Sequence, residues 1–80
     1  MRTSVLIFGR SKCPNCETAK ALAQQKGYVV TYRDVENEQI RSQMFSAVAK
    51  SGAAAPKSVP QIFVDGEYVG SLKEFELYAE

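Results

Sequence analysis

The sequence predicts one small α/β domain in which a mixed four-stranded sheet is flanked by helices, in the order βαβαββα. Its 80 residues, 45% of them hydrophobic and 24% charged, are enough for one hydrophobic core but not for two. Strand-type and helix-type segments alternate early in the chain, which favours a parallel strand pair joined by a right-handed crossover. A later Asp65-Gly66 pair predicts a hairpin. We therefore expect residues 1–80 to form a single domain.

The first three elements follow from apolar runs and the residues that flank them. Residues 3–9 are rich in strand-forming side chains and predict a buried strand. Residues 14–26 have helical spacing. Pro14 suits the first helical position, where its missing N–H costs nothing, and Gly27 suits the position just after the helix. Residues 28–35 are dense in β-branched and aromatic side chains, which predicts a second strand.

A second helix is predicted after Asn37, which is a favourable N-cap residue. Apolar residues recur within it at helical spacing, at Ile40, Met44, Ala47 and Val48. Gly52 ends this helix, and residues 53–58 form a loop that contains a proline. The helix therefore presents one apolar face to the sheet.

The later part of the chain predicts a hairpin followed by a third helix. Residues 61–64 and 67–70 flank the Asp-Gly turn and should pair as antiparallel strands. Residues 71–80 have apolar side chains at helical spacing, and Ser71 followed by Glu74 three residues later is a capping-box pattern. The predicted core of the sheet consists of Leu6, Phe8, Val30, Ile62 and Val64.

Charge and composition exclude several classes of function. The chain has 10 Lys and Arg and 9 Asp and Glu, a formal net charge of +1 that does not predict nucleic-acid binding. Two cysteines without histidine cannot complete a four-ligand Cys/His zinc site or a Cys–His nucleophile pair, so we expect no metal. No apolar run is long enough for a membrane span or a signal peptide, so we expect a cytoplasmic protein that does not bind membranes.

A Cys13-Pro14-Asn15-Cys16 segment lies between the first strand and the first helix. Two cysteines three residues apart at a helix start can bring their sulfur atoms within bonding distance, with Pro14 and Asn15 forming the turn between them. Such a pair beside a βαβ unit predicts a thiol–disulfide site. The alternatives are half of a metal site and a chemically inert pair.

Several features favour the thiolate form of Cys13. The free N–H groups and the positive end of the helix dipole point towards it. Arg10 and Lys12 precede it, and Lys20 can approach from the first helix. A free thiol has a pKa of about 8.5, and such settings lower it to roughly 3.5–7.5. We therefore expect Cys13 to attack a substrate disulfide and the more buried Cys16 to resolve the mixed disulfide.

The chain resembles the glutaredoxins, a family within the thioredoxin fold. The resemblance covers nearly the whole chain in order and rests on residues 10–16, 58–66 and 68–70. A Cys-Pro-x-Cys motif alone is moderately specific, and the Val-Pro-Gln sequence at residues 59–61 makes the combination strong. The resemblance implies a thiol–disulfide oxidoreductase that uses glutathione as its reductant.

The resemblance also implies where glutathione binds. The Val59-Pro60 peptide would be cis, which turns the backbone of Val59 towards the cysteines to pair with the cysteinyl part of glutathione. Arg10 would hold the glycyl carboxylate. Gln61 would contact the same end of the tripeptide, with an outward-facing strand residue as the alternative. The implied glutathione-binding residues are Arg10, Lys12, Val59, Pro60, Gln61, Gly70, Ser71, Leu72 and Lys73.

Residues 70–74 depart from the usual family pattern. Family members carry Gly-Gly after the fourth strand, whereas Gly70 is followed here by Ser71. Lys73 stands where Asp, Ser or Thr is usual, in the segment whose backbone N–H groups would hold the γ-glutamyl carboxylate. Asn15 replaces a common aromatic residue in the active-site turn. These differences bear directly on how glutathione is held.

We therefore predict a monomeric dithiol glutaredoxin that reduces protein disulfides or glutathione mixed disulfides, with ribonucleotide reductase as a candidate client. A first alternative is a redoxin of the same fold that is recycled by thioredoxin reductase, which the changes at residues 70–74 favour. A second is a dimer that binds an iron–sulfur cluster through Cys13 and glutathione, which the stiff Pro14 disfavours. A third is a structural domain with inert cysteines, which requires a buried and unreactive Cys13.

Overall fold

The structure is a computed structural model that describes residues 2–80 of the chain. These residues form the predicted order βαβαββα: β1 (Ser4–Gly9), α1 (Pro14–Gln25), β2 (Val29–Asp34), α2 (Glu38–Lys50), β3 (Gln61–Val64), β4 (Glu67–Gly70) and α3 (Leu72–Tyr78). The hairpin strands β3 and β4 have the predicted bounds, and the other elements are shorter by one or two residues at their ends.

The four strands form one mixed sheet in the order β2-β1-β3-β4. β1 runs parallel to β2, and α1 supplies the crossover between them. β1 is antiparallel to β3, which is antiparallel to its hairpin partner β4. The expected mixed four-stranded sheet is therefore confirmed.

Buried side chains cover both faces of this sheet. α1 and α3 pack on one face, in a cluster formed by Val5, Ile7, Ala19, Ala23, Ile62, Val64 and Phe75. α2 packs on the other face, in a cluster formed by Phe8, Val35, Met44, Val48 and Phe63. Because helices cover both faces, the central strands β1 and β3 are apolar on both sides.

All five predicted core residues contribute to the two clusters, three as buried members and two at their margins. Leu6 and Val30 are only partly buried, whereas Phe8, Ile62 and Val64 are buried as expected. Leu6 lines an open depression on the α2 face to which no α2 residue contributes. Val30 lies on β2, one of the two edge strands, so a neighbouring strand lies on one side of it only.

Local capping explains where the helices begin and end. Asn37 Oδ1 accepts hydrogen bonds from the N–H groups of Gln39 (2.9 Å) and Ile40 (3.2 Å), which starts α2 as predicted. Gly27 follows α1 with a φ of +77°, a left-handed conformation that favours glycine. The expected capping box of α3 is also present.

The register of the sheet brings three loop segments to one end of it. Phe8, near the end of β1, pairs with Gln61 at the start of β3. Ile62 pairs with Gly70 at the end of β4. The loop after β1, the loop before β3 and the turn after β4 therefore lie together. No helix within residues 2–80 has the length and apolar character needed to span a membrane.

Candidate active site

Cys13 and Cys16 form a disulfide at the start of α1. Their Cα atoms are 5.2 Å apart, and Cys13 is the N-cap residue while Cys16 lies in the first turn. Cys13 is 7% exposed and Cys16 is 0% exposed. The second cysteine is thus the more buried of the two, as expected from its place on the helix.

The start of α1 stabilises negative charge on Cys13. The Cys16 N–H donates a hydrogen bond of 3.2 Å to Cys13 Sγ, and Pro14 occupies the first helical turn without an N–H of its own. The aligned dipoles of the helix act in the same direction. The Nζ of Lys20, on the same helix, lies 5.5 Å from the centroid of the Tyr32 ring.

Side chains on and just after β2 hold the loop between β1 and α1. The Glu36 carboxylate accepts hydrogen bonds from Ser11 Oγ (2.7 Å) and from the Ser11 N–H (3.4 Å). The Tyr32 hydroxyl donates to the Arg10 carbonyl at 3.0 Å. Lys12 then turns the chain into the cysteine pair with a φ of +57°. The position of Cys13 therefore depends on contacts with β2.

Replacing Glu36 with glutamine is expected to remove a pH-dependent contribution to stability. The hydrogen bonds from Ser11 hold the pKa of the Glu36 carboxyl below its ordinary value. Because the pKa is lowered in the folded state, this stability is present above about pH 4.5 and is lost as the pH falls through the folded pKa. Wild type should therefore resist urea better than Glu36→Gln at pH 7, and the difference should shrink towards about pH 3.

Urea midpoints of both proteins between about pH 3 and pH 7 measure this effect. Glu67→Gln is the matched control, because it removes a carboxylate from β4, the sheet edge opposite β2. A stability difference for Glu36→Gln that stays constant with pH would contradict the expectation.

The loop before β3 carries the expected cis peptide between Val59 and Pro60. Pro60 is buried and Val59 is half-buried. Gln61 is 4% exposed. Its Nε2 donates to the Ser58 carbonyl at 2.8 Å, and its Oε1 accepts a hydrogen bond from the Tyr68 hydroxyl. The outward-facing alternative for Gln61 is therefore wrong, and its side-chain amide connects this loop to Tyr68 on β4.

The turn after β4 already holds a carboxylate. Glu74 Oε1 accepts the Ser71 N–H at 2.8 Å and the Ser71 hydroxyl at 2.5 Å, and these bonds lower the pKa of Glu74. A side chain at Gly70, whose φ is +124°, would begin 2.7 Å from Glu74 Oε1. Leu72 is half-buried and Lys73 is exposed. The Ser71 N–H, one of the groups expected to hold γ-glutamyl carboxylate, is thus bonded to Glu74.

A groove of about 370 Å³ opens between the loop before β3 and α2. Its lining includes Arg10 and Val59, which belong to the two loops that meet at the cysteine end of the sheet. Arg41 of α2 and Lys57 of the loop add two further cations, opposed by the Glu36 carboxylate. The groove is therefore suited to a ligand that carries a carboxylate.

Several of these residues are not singled out by the sequence. Arg41 and Lys57 are ordinary surface cations in the sequence, and only the fold places them beside Arg10. Gly9 differs, because a glycine at the end of an apolar strand indicates that another group approaches the backbone closely. A side chain there would begin 3.0 Å from Cys16 Sγ and would collide with the Tyr32 hydroxyl.

Comparison with known proteins decides the family. The Glutaredoxin family model matches residues 5–69. The chain belongs to the glutaredoxin family. The glutaredoxin of Haemophilus influenzae is 40% identical over 77 residues, which cover 90% of this chain and 85% of that protein. Glutaredoxin 1 of Salmonella typhimurium is 34% identical over 80 residues, which cover 94% and 88% of the two chains.

Solved structures agree with this assignment. The crystal structure of glutaredoxin 1 from Francisella tularensis, complexed with cacodylate, superimposes with a TM-score of 0.78 at 28% identity. The superposition covers 96% of this chain and 92% of that one. This glutaredoxin therefore has the thioredoxin-like fold and the redox-active cysteine pair of a thiol–disulfide oxidoreductase. Within residues 2–80 we find no cluster of three or more His, Cys, Asp or Glu side chains that could hold a metal ion.

Proposed function

We propose that the protein is a dithiol glutaredoxin that reduces protein disulfides and glutathione mixed disulfides with electrons from glutathione. The observation that carries the proposal is the place of Cys13, at the N-cap of α1 with the Cys16 N–H 3.2 Å from its sulfur. Membership of the glutaredoxin family supports glutathione as the reductant. By the same likeness we propose a cytoplasmic monomer, with ribonucleotide reductase among its clients.

The reduction of a client proceeds by two thiol–disulfide exchanges. The Cys13 thiolate attacks one sulfur of the client disulfide, and the other client sulfur leaves as a thiolate that takes up a proton. Cys16 then attacks Cys13 Sγ, which releases the reduced client and closes the Cys13–Cys16 disulfide. One glutathione reopens that disulfide as a mixed disulfide on Cys13, and a second glutathione releases the first as glutathione disulfide.

The groove supplies suitable partners for the glycyl end of glutathione. Its cations Arg10, Arg41 and Lys57 can pair with the glycyl carboxylate. The backbone of Val59 at the cis peptide can pair with the cysteinyl unit, as an added strand would. Gln61 acts in this scheme by bracing the loop that carries Val59, because its amide is bonded within the protein.

The γ-glutamyl end is less well provided for, and this favours a second candidate function. Glu74 occupies the Ser71 N–H, so an incoming carboxylate must displace it or bind through other groups such as Lys73. Repulsion between the incoming carboxylate and the carboxylate of Glu74 makes that displacement costly. A redoxin of the same fold that is recycled by thioredoxin reductase would not need this subsite.

A coupled assay separates the two candidates. Oxidised protein is supplied either with glutathione and its NADPH-dependent reductase or with thioredoxin reductase, and NADPH loss is followed with a small glutathione mixed disulfide. We expect turnover with the glutathione system and none with thioredoxin reductase alone. Turnover only with thioredoxin reductase would reject the glutathione dependence while leaving the thiol–disulfide chemistry in place.

Replacing Arg41 with glutamine is expected to weaken the binding of glutathione-containing substrates. Loss of one exposed ion pair should raise KM by up to about fivefold and leave kcat nearly unchanged. Steady-state rates with a glutathione mixed disulfide measure the effect. Lys50→Gln is the matched control, since it removes the same charge from the other end of α2. Equal changes in both variants would point to net charge instead of a contact in the groove.

A further inference from the structure

The Tyr32 hydroxyl lies on the β2 side of the resolving cysteine. A side chain built on Gly9 would begin 3.0 Å from Cys16 Sγ and would also collide with the Tyr32 hydroxyl. The sulfur of Cys16 and the hydroxyl of Tyr32 therefore both lie next to the Cα atom of Gly9. The Tyr32 ring is half-buried beneath Lys20 of α1. With the cysteines oxidised, its hydroxyl donates to the carbonyl of Arg10.

Cys16 needs such a neighbour when it reacts. The attack on a mixed disulfide requires the thiolate of Cys16. Its side chain is 0% exposed, and burial disfavours a charged sulfur because water cannot reach it. A hydroxyl that donates to the thiolate replaces part of the lost hydration, and hydrogen bonds to a charged acceptor are among the stronger ones.

We propose that Tyr32 is a positioning residue for the resolving step, its hydroxyl turning from the Arg10 carbonyl to stabilise the thiolate of Cys16. This inference rests on the proposed dithiol mechanism. In that step the Cys16 thiolate forms a bond to Cys13 Sγ, and the bond between Cys13 and the client sulfur breaks. The client sulfur leaves with the electron pair and takes up the proton that Cys16 released. The hydroxyl proton stays on Tyr32 throughout.

The charged groups around Tyr32 are consistent with a donor role. Burial raises the pKa of Tyr32, and the negative charges of Glu17 on α1 and Asp34 on β2 raise it further. The hydroxyl therefore keeps its proton through the range in which thiols ionise. Glu17 and Asp34 also disfavour a thiolate nearby, whereas Lys20 favours one, so a neutral hydrogen-bond donor is of use to Cys16.

The test is a stoichiometric reaction of the reduced protein with 5,5′-dithiobis(2-nitrobenzoate), which requires no glutathione. Cys13 releases the first coloured thiolate, and the attack of Cys16 on the resulting mixed disulfide releases the second. Tyr32→Phe should slow the second phase more than the first, because it also removes the hydrogen bond to the Arg10 carbonyl in the loop before Cys13. It should raise the pH midpoint of the second phase by about one unit, which at pH 7 slows that phase about threefold because the more basic thiolate is also more nucleophilic.

Two controls make the outcome decisive. Tyr28→Phe removes a hydroxyl from a residue packed against the same core cluster and should change neither phase. Cys16→Ser should release a single equivalent. Equal second phases in wild type and Tyr32→Phe, or equal slowing of both phases in Tyr32→Phe, would overturn the role of Tyr32. Release of one equivalent by wild type would instead reject the dithiol mechanism itself.

A second variant covers the case in which Tyr32→Phe folds poorly. Gly9→Ala places a methyl group 2.7 Å from Tyr32 Cζ and 3.0 Å from Cys16 Sγ, so the ring and the sulfur cannot both keep their positions. We expect the same upward shift in the pH midpoint of the second phase. An unshifted midpoint in Gly9→Ala would count against the proposal independently of Tyr32→Phe.

Discussion

Replacing Cys13 with serine is expected to reduce thiol–disulfide turnover to the background rate of uncatalysed exchange. A serine hydroxyl is not ionised near neutral pH and forms no mixed disulfide, so the N-cap that stabilises a thiolate has none to act on. Cys16 cannot take its place as the attacking group, because its side chain is 0% exposed. The coupled assay with a glutathione mixed disulfide measures the loss.

Cys16→Ser is the matched control for this variant. It should retain turnover of glutathione mixed disulfides, since Cys13 alone can exchange with glutathione. It should lose the reduction of protein disulfides that depend on intramolecular resolution. Residual turnover by Cys13→Ser, or equal inactivity of both variants towards glutathione mixed disulfides, would refute the roles proposed for the two cysteines.

Replacing Phe75 with alanine is expected to destabilise the protein by about 3–5 kcal/mol. Phe75 is 0% exposed and belongs to the cluster that joins α1 and α3 to the sheet. Truncation removes its apolar contacts and leaves a cavity that the neighbouring helices fill only in part. Small domains have a total stability at the low end of about 5–15 kcal/mol, so a large fraction of Phe75→Ala should be unfolded at 37 °C.

Urea denaturation followed by circular dichroism measures this loss of stability. Leu77→Ala is the matched control, because Leu77 lies on the same helix but is 62% exposed. Its effect should stay within about 0.5 kcal/mol. Similar losses in the two variants would mean that α3 contributes through its helical structure and not through the burial of Phe75.

Local signals were sufficient to predict most of the fold. Asn37, Gly27 and the Asp65-Gly66 pair lie where helices begin, helices end and strands turn, and each signal depends only on nearby backbone geometry. The place of Cys13 at the N-cap of α1 follows in the same way. The partial exposure of Leu6 could not be predicted from nearby residues, because it depends on how far α2 extends over the sheet.

The candidate site was only partly predictable for the same reason. The cysteine pair and the cis peptide could be expected from a short motif and from the family resemblance. The meeting of Arg41 with Arg10, and of Tyr32 with Gly9, depends on tertiary packing between segments distant in sequence. No periodicity or composition in one sequence reports such pairings.

The packing of Phe75 against α1 and the sheet also affects the reactivity of the cysteines while the chain is being synthesised. Both cysteines emerge from the ribosome before β3, β4 and α3 are available to pack against β1 and α1. A helix of 12 residues is marginal by itself in water. Until α3 docks, Cys13 should therefore behave as an ordinary thiol, mostly protonated and slow to exchange. Nascent chains should therefore form mixed disulfides more slowly than the folded protein does.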